Sequence, residues 1–178
     1  PADTKGRGVY IIDGLDGSLI KRFSNAEIPG MNYSIPSDIT RVDTNRDGKI
    51  DRLYVGDMGG RIWRFDIGDL NPSSWQGRII FTGQPGTKIF YPPDVTLEIG
   101  DYEMLFFGTG DREHPKETGV VNRLYAIRDK NLSGTLVESS LYDVTSDELQ
   151  ATDTTESRKN EILTDLENSM GWFIQLSQ

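Results

Sequence analysis

Short runs of β-branched and aromatic residues recur along the chain, each bounded by Gly, Asp, Asn or Pro. Gly8 to Asp13, Ser18 to Ser24, Asp38 to Val42, Arg52 to Asp57, Arg61 to Ile67 and Gly77 to Thr82 form one series. Asp94 to Ile99, Glu103 to Thr109, Asn122 to Asp129 and Leu136 to Val144 continue it. Such runs fit a pleated, half-buried surface and the punctuation supplies tight turns, so the pattern predicts an all-β fold. Before residue 145 no segment carries the period of an amphipathic helix.

The runs repeat. Pro36-Ser37-Asp38-Ile39-Thr40 aligns with Pro92-Pro93-Asp94-Val95-Thr96, and Leu53-Tyr54-Val55-Gly56 aligns with Leu105-Phe106-Phe107-Gly108. Arg61 to Asp66 aligns with Arg123 to Arg128, and Gly8 to Asp13 resembles the same strand one unit earlier. Four strands per unit is the content of a β-propeller blade, which buries both faces only when it has neighbours. The predicted layout is a pair of outer strands at 8–24, full blades at 36–83 and 93–144, and the start of another blade at 171–178. About two and a half blades cannot close a ring, so the expectation is a fragment of a larger propeller, completed by the remaining blades of a parent chain. A self-contained β-sandwich is the competing reading.

Between Thr145 and Met170 the composition turns acidic and rich in helix-capping residues. Ile162, Leu163 and Leu166 form a short apolar stripe, which predicts one helix over 159–168 in an inter-blade insertion spanning 145–170.

Composition narrows the chemistry. The 178 residues hold 28 Asp+Glu against 19 Lys+Arg, one His and no Cys. Disulfides, cysteine-ligated metals and cysteine nucleophiles are thereby excluded, and metal chemistry must rely on oxygen ligands. A net charge of −9 makes nucleic acid and anionic lipid poor partners. No apolar run reaches the ~18 residues of a spanning helix, so no membrane insertion is expected, and Pro1 to Gly6 lacks the features of a signal peptide.

One segment is chemically sharp. The first blade is longer than the second between its first two strands, where it carries Asp43-Thr44-Asn45-Arg46-Asp47-Gly48-Lys49-Ile50-Asp51 against the shorter Ile99-Gly100-Asp101-Tyr102-Glu103. Oxygen-bearing side chains at loop positions 1, 3, 5 and 9, with Gly at 6, open a calcium loop. The predicted metal ligands are Asp43, Asn45, Asp47, the Lys49 carbonyl and Asp51, completed by a second Asp51 oxygen or water. Ile50 is expected to tuck into the sheet. Position 12 is Tyr54 rather than a bidentate Glu, so this is not an EF-hand. Ca2+ suits a flexible all-oxygen loop better than Mg2+, while a metal-free Asx-rich turn is the simpler alternative. Asp13-Gly14-Leu15-Asp16-Gly17 reads as a tight turn.

This calcium-loop segment, running into Arg52-Leu-Tyr-Val-Gly-Asp-Met-Gly-Gly-Arg-Ile-Trp-Arg-Phe-Asp66, resembles the C-terminal propeller of the PilY1 family of type IV pilus assembly and adhesion proteins. Phe107 to Pro115, Asn122 to Ile127 and Gly171-Trp172-Phe173 extend the resemblance over most of the chain. It implies a non-enzymatic, cell-surface protein at the pilus tip or outer membrane, exported through the periplasm. Pilins or minor pilins and a host or abiotic surface are its implied partners, and bound calcium would control pilus extension and retraction. The acidic 145–170 segment matches no motif of the family.

Tyr10-Ile-Ile-Asp-Gly-Leu-Asp-Gly-Ser-Leu19 also resembles repeats of quinoprotein dehydrogenase propellers, which hold pyrroloquinoline quinone and calcium at the ring centre. That alternative expects dispersed calcium ligands and, in many members, a vicinal Cys pair, neither of which is seen here. His114 lies in a polar loop rather than in a catalytic pattern, and no Gly-x-Ser-x-Gly occurs. Trp63, Phe65 and Trp75 are expected in the inter-blade core, with Trp172 in the same role one blade later.

Overall fold

In the computed structural model, residues 3–98 and 102–177 are described. The chain opens with an antiparallel hairpin of β1 (Gly8–Ile12) and β2 (Leu19–Ser24). Its turn is held by the Asp13 N–H donating to the Ser18 carbonyl and the Gly17 N–H donating to that of Asp13, so Asp13 to Gly17 form the tight turn expected of them.

The next four strands, β3 (Thr40–Val42), β4 (Arg52–Gly56), β5 (Arg61–Asp66) and β6 (Gln76–Thr82), pair in sequence as an antiparallel first sheet. Then come β7 (Asp94–Glu98), β8 (Tyr102–Gly108) and β9 (Arg123–Asp129), followed by the two-residue strands β10 (Leu136–Val137) and β11 (Tyr142–Asp143), helix α1 (Glu156–Asn168) and β12 (Gly171–Gln175). The second sheet has the order β11-β12-β9-β8-β7. The aligned repeats fall on equivalent strands, β4 with β8 and β5 with β9.

Three expectations about the second blade are corrected. Its fourth strand is not 136–144 but β12, which runs antiparallel to β9 from Gly171 opposite Ile127 to Gln175 opposite Arg123. Residues 171–175 therefore complete this blade instead of opening another. The 145–170 insertion consequently lies within a blade, between its third and fourth strands. The reason is local. Glu138–Ser140 coils into a 3-10 turn that breaks the apolar run, sending Leu136 and Val137 parallel to Phe81 and Thr82 of the first sheet and Tyr142 and Asp143 parallel to Trp172 and Phe173.

Helix α1 begins earlier than its apolar stripe suggested because the Thr155 side chain accepts from the Arg158 N–H as N-cap. Ile162 is buried beneath it, whereas Leu163 is exposed. At its C-terminus Arg128 Nη1 donates to the carbonyls of Leu166, Glu167 and Ser169 at 2.9, 3.3 and 2.8 Å, satisfying groups that the helix itself leaves unpaired.

Packing explains why β4 and β5 are almost entirely buried. Leu53, Val55, Trp63 and Phe65 point toward the hairpin, joining Val9, Phe23 and Met31. Tyr54 and Ile62 point the other way, into a cluster with Phe81, Leu105, Phe107, Tyr125, Ile127 and Phe173. Each strand thus supplies two cores, the arrangement of stacked blades. Trp75 packs at the edge of the first cluster, and Trp172 lies half-buried beside Phe106, its ring centroid 6.4 Å away, in the same blade. The outward hairpin face remains apolar and open: Tyr10 and Ile12 are both 59% exposed and Leu19 56%.

Candidate cation site

Residues 43–51 join β3 to β4 at the end of the first sheet. The Asp51 N–H donates to the Val42 carbonyl at 2.9 Å and closes the neck, while the Asp51 carbonyl accepts the Ile67 N–H at 2.7 Å and ties the loop to the chain beyond β5. Within the loop, Asp43 accepts from the N–H groups of Asp47 (Oδ1, 3.2 Å) and Gly48 (Oδ2, 2.8 Å). Asn45 Oδ1 accepts from Asp47 N–H at 2.8 Å, and Asp47 Oδ1 from Lys49 N–H at 2.9 Å. Asp51 Oδ2 is held by the Thr44 amide at 2.8 Å, the Thr44 hydroxyl at 2.7 Å and the Asn45 amide at 3.3 Å. The curl needs left-handed backbone at Arg46 (φ 62°) and Gly48 (φ 86°), and only the second is a residue that adopts it without strain.

The structure therefore brings Asp43, Asn45, Asp47, Lys49 and Asp51 into one curl of chain whose amides orient the side-chain oxygens. It does not draw the carboxylates of Asp43, Asp47 and Asp51 into a tight triad. Among the described residues, the one group of three ligand atoms within 4.8 Å belongs to Asp111, Glu113 and His114. Mutual repulsion accounts for the spacing, since each carboxylate is turned to a backbone amide rather than to its neighbours. Burial pushes the Asp51 carboxyl up, but hydrogen bonds from Thr44 and Asn45, with the Arg52 charge, outweigh this and hold it below the ordinary value. Ile50 is exposed rather than tucked into the sheet, because the curl lifts it off β4. The shorter connection Ile99-Gly100-Asp101 lies outside the described residues.

The donor set is wholly oxygen, partly exposed and already organised, which fits a hard divalent cation. Against the Asp111 cluster stands its own geometry: Lys88 Nζ sits 2.7 Å from Asp111 Oδ2 and 3.6 Å from Glu113, and the Lys88 hydrogen bond takes the Asp111 carboxyl down to about 2. The cation of that cluster is a lysine.

Two features had no expected role. Asp57 is fully buried after β4, accepting from Gly59 N–H (2.9 Å), Arg61 N–H (3.2 Å), Arg61 Nε and Nη2 (2.8 and 2.6 Å) and Trp63 Nε1 (2.7 Å). The turn from Asp57 to Gly60, between β4 and β5, is thus locked by one carboxylate. Separately, Arg52, Arg64, Glu103 and Asp129 form an ionic layer between the sheets. Its signal in the sequence is charge at inward positions of otherwise apolar strands.

Comparison with known proteins bears on the fold and the family. The family model described as the PilY1 beta-propeller domain matches residues 2–165. The chain belongs to the PilY1 β-propeller family. The type IV pilus biogenesis factor PilY1 of Pseudomonas aeruginosa is 30% identical over 174 residues, covering 78% of this chain and 15% of that relative. A PilY1 homolog of Xylella fastidiosa is 27% identical over 81 residues, covering 40% of this chain and 6% of the relative. The crystal structure of the P. aeruginosa PilY1 C-terminal domain matches with a TM-score of 0.63 at 19% identity, covering 96% of this chain and 44% of that one. The propeller fold and the PilY1 resemblance expected from the sequence are both borne out. The chain spans less than half of the solved PilY1 domain and a small fraction of the curated relatives.

Proposed function

We propose that this chain is the calcium-binding part of a PilY1-type propeller in a type IV pilus biogenesis and tip-adhesion protein, in which Ca2+ occupancy of the 43–51 loop regulates pilus extension, retraction and surface attachment. The observation that carries it is the amide-ordered curl of Asp43, Asn45, Asp47, Lys49 and Asp51 in a chain of this family. When bound, the cation supplies the positive charge that three carboxylates on one short loop otherwise lack. The loop amides position the carboxylates beforehand, and the Asp51 backbone anchors the curl to the sheet. An ordered loop can then present a defined surface to a pilus subunit or to a host or abiotic substrate.

Family membership favours this reading over the quinoprotein alternative. On this reading the open hairpin face of Tyr10, Ile12 and Leu19 is covered by further blades of a longer parent chain on a protein at the cell surface, which family membership supports. The test is calorimetric titration of the chain and its Asp47→Ala and Asp51→Ala variants with Ca2+ and Mg2+. The reading expects calcium binding in the parent, preference over magnesium, and loss of at least tenfold in affinity in each variant. Unchanged binding in both variants would show the ion to sit elsewhere.

A further inference from the structure

Directly beneath the 43–51 loop, the packing between the two sheets changes from apolar to ionic. Arg52 follows Asp51 in the chain, and its side chain shares a face with Tyr54 on β4 and with their cross-strand partners Asp66 and Arg64 on β5. Opposite them, on the second sheet, Glu103 of β8 and Asp129 of β9 are themselves cross-strand partners. Arg52 reaches Glu103 Oε1 through Nη1 at 2.6 Å and Asp66 Oδ1 through Nε at 3.3 Å. Arg64 bridges Asp66 at 2.6 Å and Asp129 at 2.9 Å, the Tyr54 hydroxyl donates to Asp129 Oδ2 at 2.9 Å, and Arg78 lies 3.9 Å from Asp129.

Three guanidinium groups thus face three carboxylates, yet compensation is uneven. The Glu103 side chain is 5% exposed, and while Oε1 holds Arg52, the buried Oε2 has no hydrogen-bond partner among the described residues. Burial accordingly raises the Glu103 carboxyl above its ordinary value; Arg52 opposes this and the Asp129 charge adds to it. A buried carboxylate left short of positive charge is stabilised by any positive charge brought near it.

We propose that the Arg52–Glu103 bridge couples cation occupancy of the 43–51 loop to the junction between the two sheets, so that a filled loop tightens the junction and an intact junction tightens cation binding. This rests on the loop being a calcium site. Without the cation, Arg52 is shared between the Asp51 charge next to it and the carboxylates of Asp66 and Glu103. A cation in the loop neutralises Asp51 and repels the guanidinium, which moves its charge toward Glu103, where an acceptor oxygen is free. The coupling is reciprocal: neutralising Glu103 leaves Arg52 with the longer Asp66 bridge in place of two carboxylate partners and raises the free energy of the filled state.

The test is a double-mutant cycle on the full chain, with calcium affinity measured by calorimetry at pH 7.5 in wild type, Glu103→Gln, Arg52→Gln and the pair. Glu103→Gln should weaken calcium binding about fivefold, the low end of couplings between sites. In the Arg52→Gln background the same change should have no effect. Hydrogen exchange gives an independent readout: calcium should slow exchange of the β8 amides in wild type and in neither single variant. Thermal unfolding in chelator identifies a variant that has failed to fold, in which case the other single variant reports the same broken bridge through β8 exchange. Equal affinities in wild type and folded Glu103→Gln, or an unchanged Glu103→Gln effect without Arg52, overturns the coupling while leaving the calcium site standing. Absence of calcium binding to wild type removes both.

Discussion

Replacing Asp57 with Ala removes one carboxylate and strands several donors at once. The side chain is fully buried, and its loss leaves the Arg61 guanidinium, itself only 11% exposed, without a counter-charge, although Arg61 keeps its 2.9 Å bond to the Gly30 carbonyl and its stack on Tyr33. Trp63 Nε1 and the Gly59 amide lose their acceptor too. Removing one partner of a buried pair costs about 3–5 kcal/mol, because the remaining charge stays desolvated. With an m-value of about 2 kcal/mol/M, the urea midpoint should fall by roughly 1.5–2.5 M, with the slope unchanged. Asp57→Asn should be nearly as damaging, since its amide would face the Arg61 and Trp63 donors. Asp57→Ala combined with Arg61→Met should cost less than the sum of its parts, because the second change removes the stranded charge. Equilibrium unfolding followed by tryptophan fluorescence measures the parent, the three single variants Asp57→Ala, Asp57→Asn and Arg61→Met, and the double variant. A cost below about 1 kcal/mol for Asp57→Ala, or strict additivity in the double variant, would refute the view that this carboxylate locks the turn.

Three further predictions follow from separate parts of the molecule. The Glu103 carboxyl is raised in the fold, so the stability it contributes is complete below the ordinary value of 4.5 and is lost as pH rises through the raised one. Glu103→Gln, in chelator, should therefore flatten the decline in melting temperature as pH rises from the ordinary value through the raised one, and be no less stable than the parent at neutrality. A Cβ on Gly68 would lie 2.8 Å from Asp51 Oδ1, so Gly68→Ala should displace that carboxylate and weaken calcium binding several-fold with little change in melting temperature; unchanged affinity would show that Oδ1 is not a ligand. Arg128→Ala removes the donor to three carbonyls at the end of α1 and should cost about 2 kcal/mol, with faster hydrogen exchange confined to the last turn of the helix and the start of β12.

Much of the architecture can be read in the residues because the blade repeats. Leu53-Tyr54-Val55-Gly56 and Leu105-Phe106-Phe107-Gly108 occupy equivalent strands, and the run from Arg61 to Asp66 matches Arg123 to Arg128. The fourth strand of the second blade escaped this reading because two segments competed for it. Leu136 to Val144 had the composition of a strand, and nothing in periodicity reveals that Glu138 would instead be held by Tyr125 and Gln84, or that Gly171 to Gln175 would return across the insertion to β9. The curl at 43–51 was legible from spacing alone, since an Asx-rich loop is encoded within nine positions. The ionic layer was not, because pairing Arg52 with Glu103 depends on the stacking of two sheets 51 residues apart.

The detour through β10 and β11 has a mechanical meaning. One continuous stretch, residues 136–143, is hydrogen-bonded at its start to the outer strand of the first sheet and at its end to the outer strand of the second. Between these points Glu138 accepts from Gln84 beyond the first sheet and from Tyr125 within the second. A tensile load that peels one blade from the other must break one of these strand pairs as well as the apolar contact between the sheets. The two blades would therefore yield together as a single unit, whereas the hairpin is joined to the first blade by no strand pair among the described residues, its ties being single hydrogen bonds such as Lys21 Nζ to the Pro72 carbonyl and the Met58 N–H to the Ser34 carbonyl.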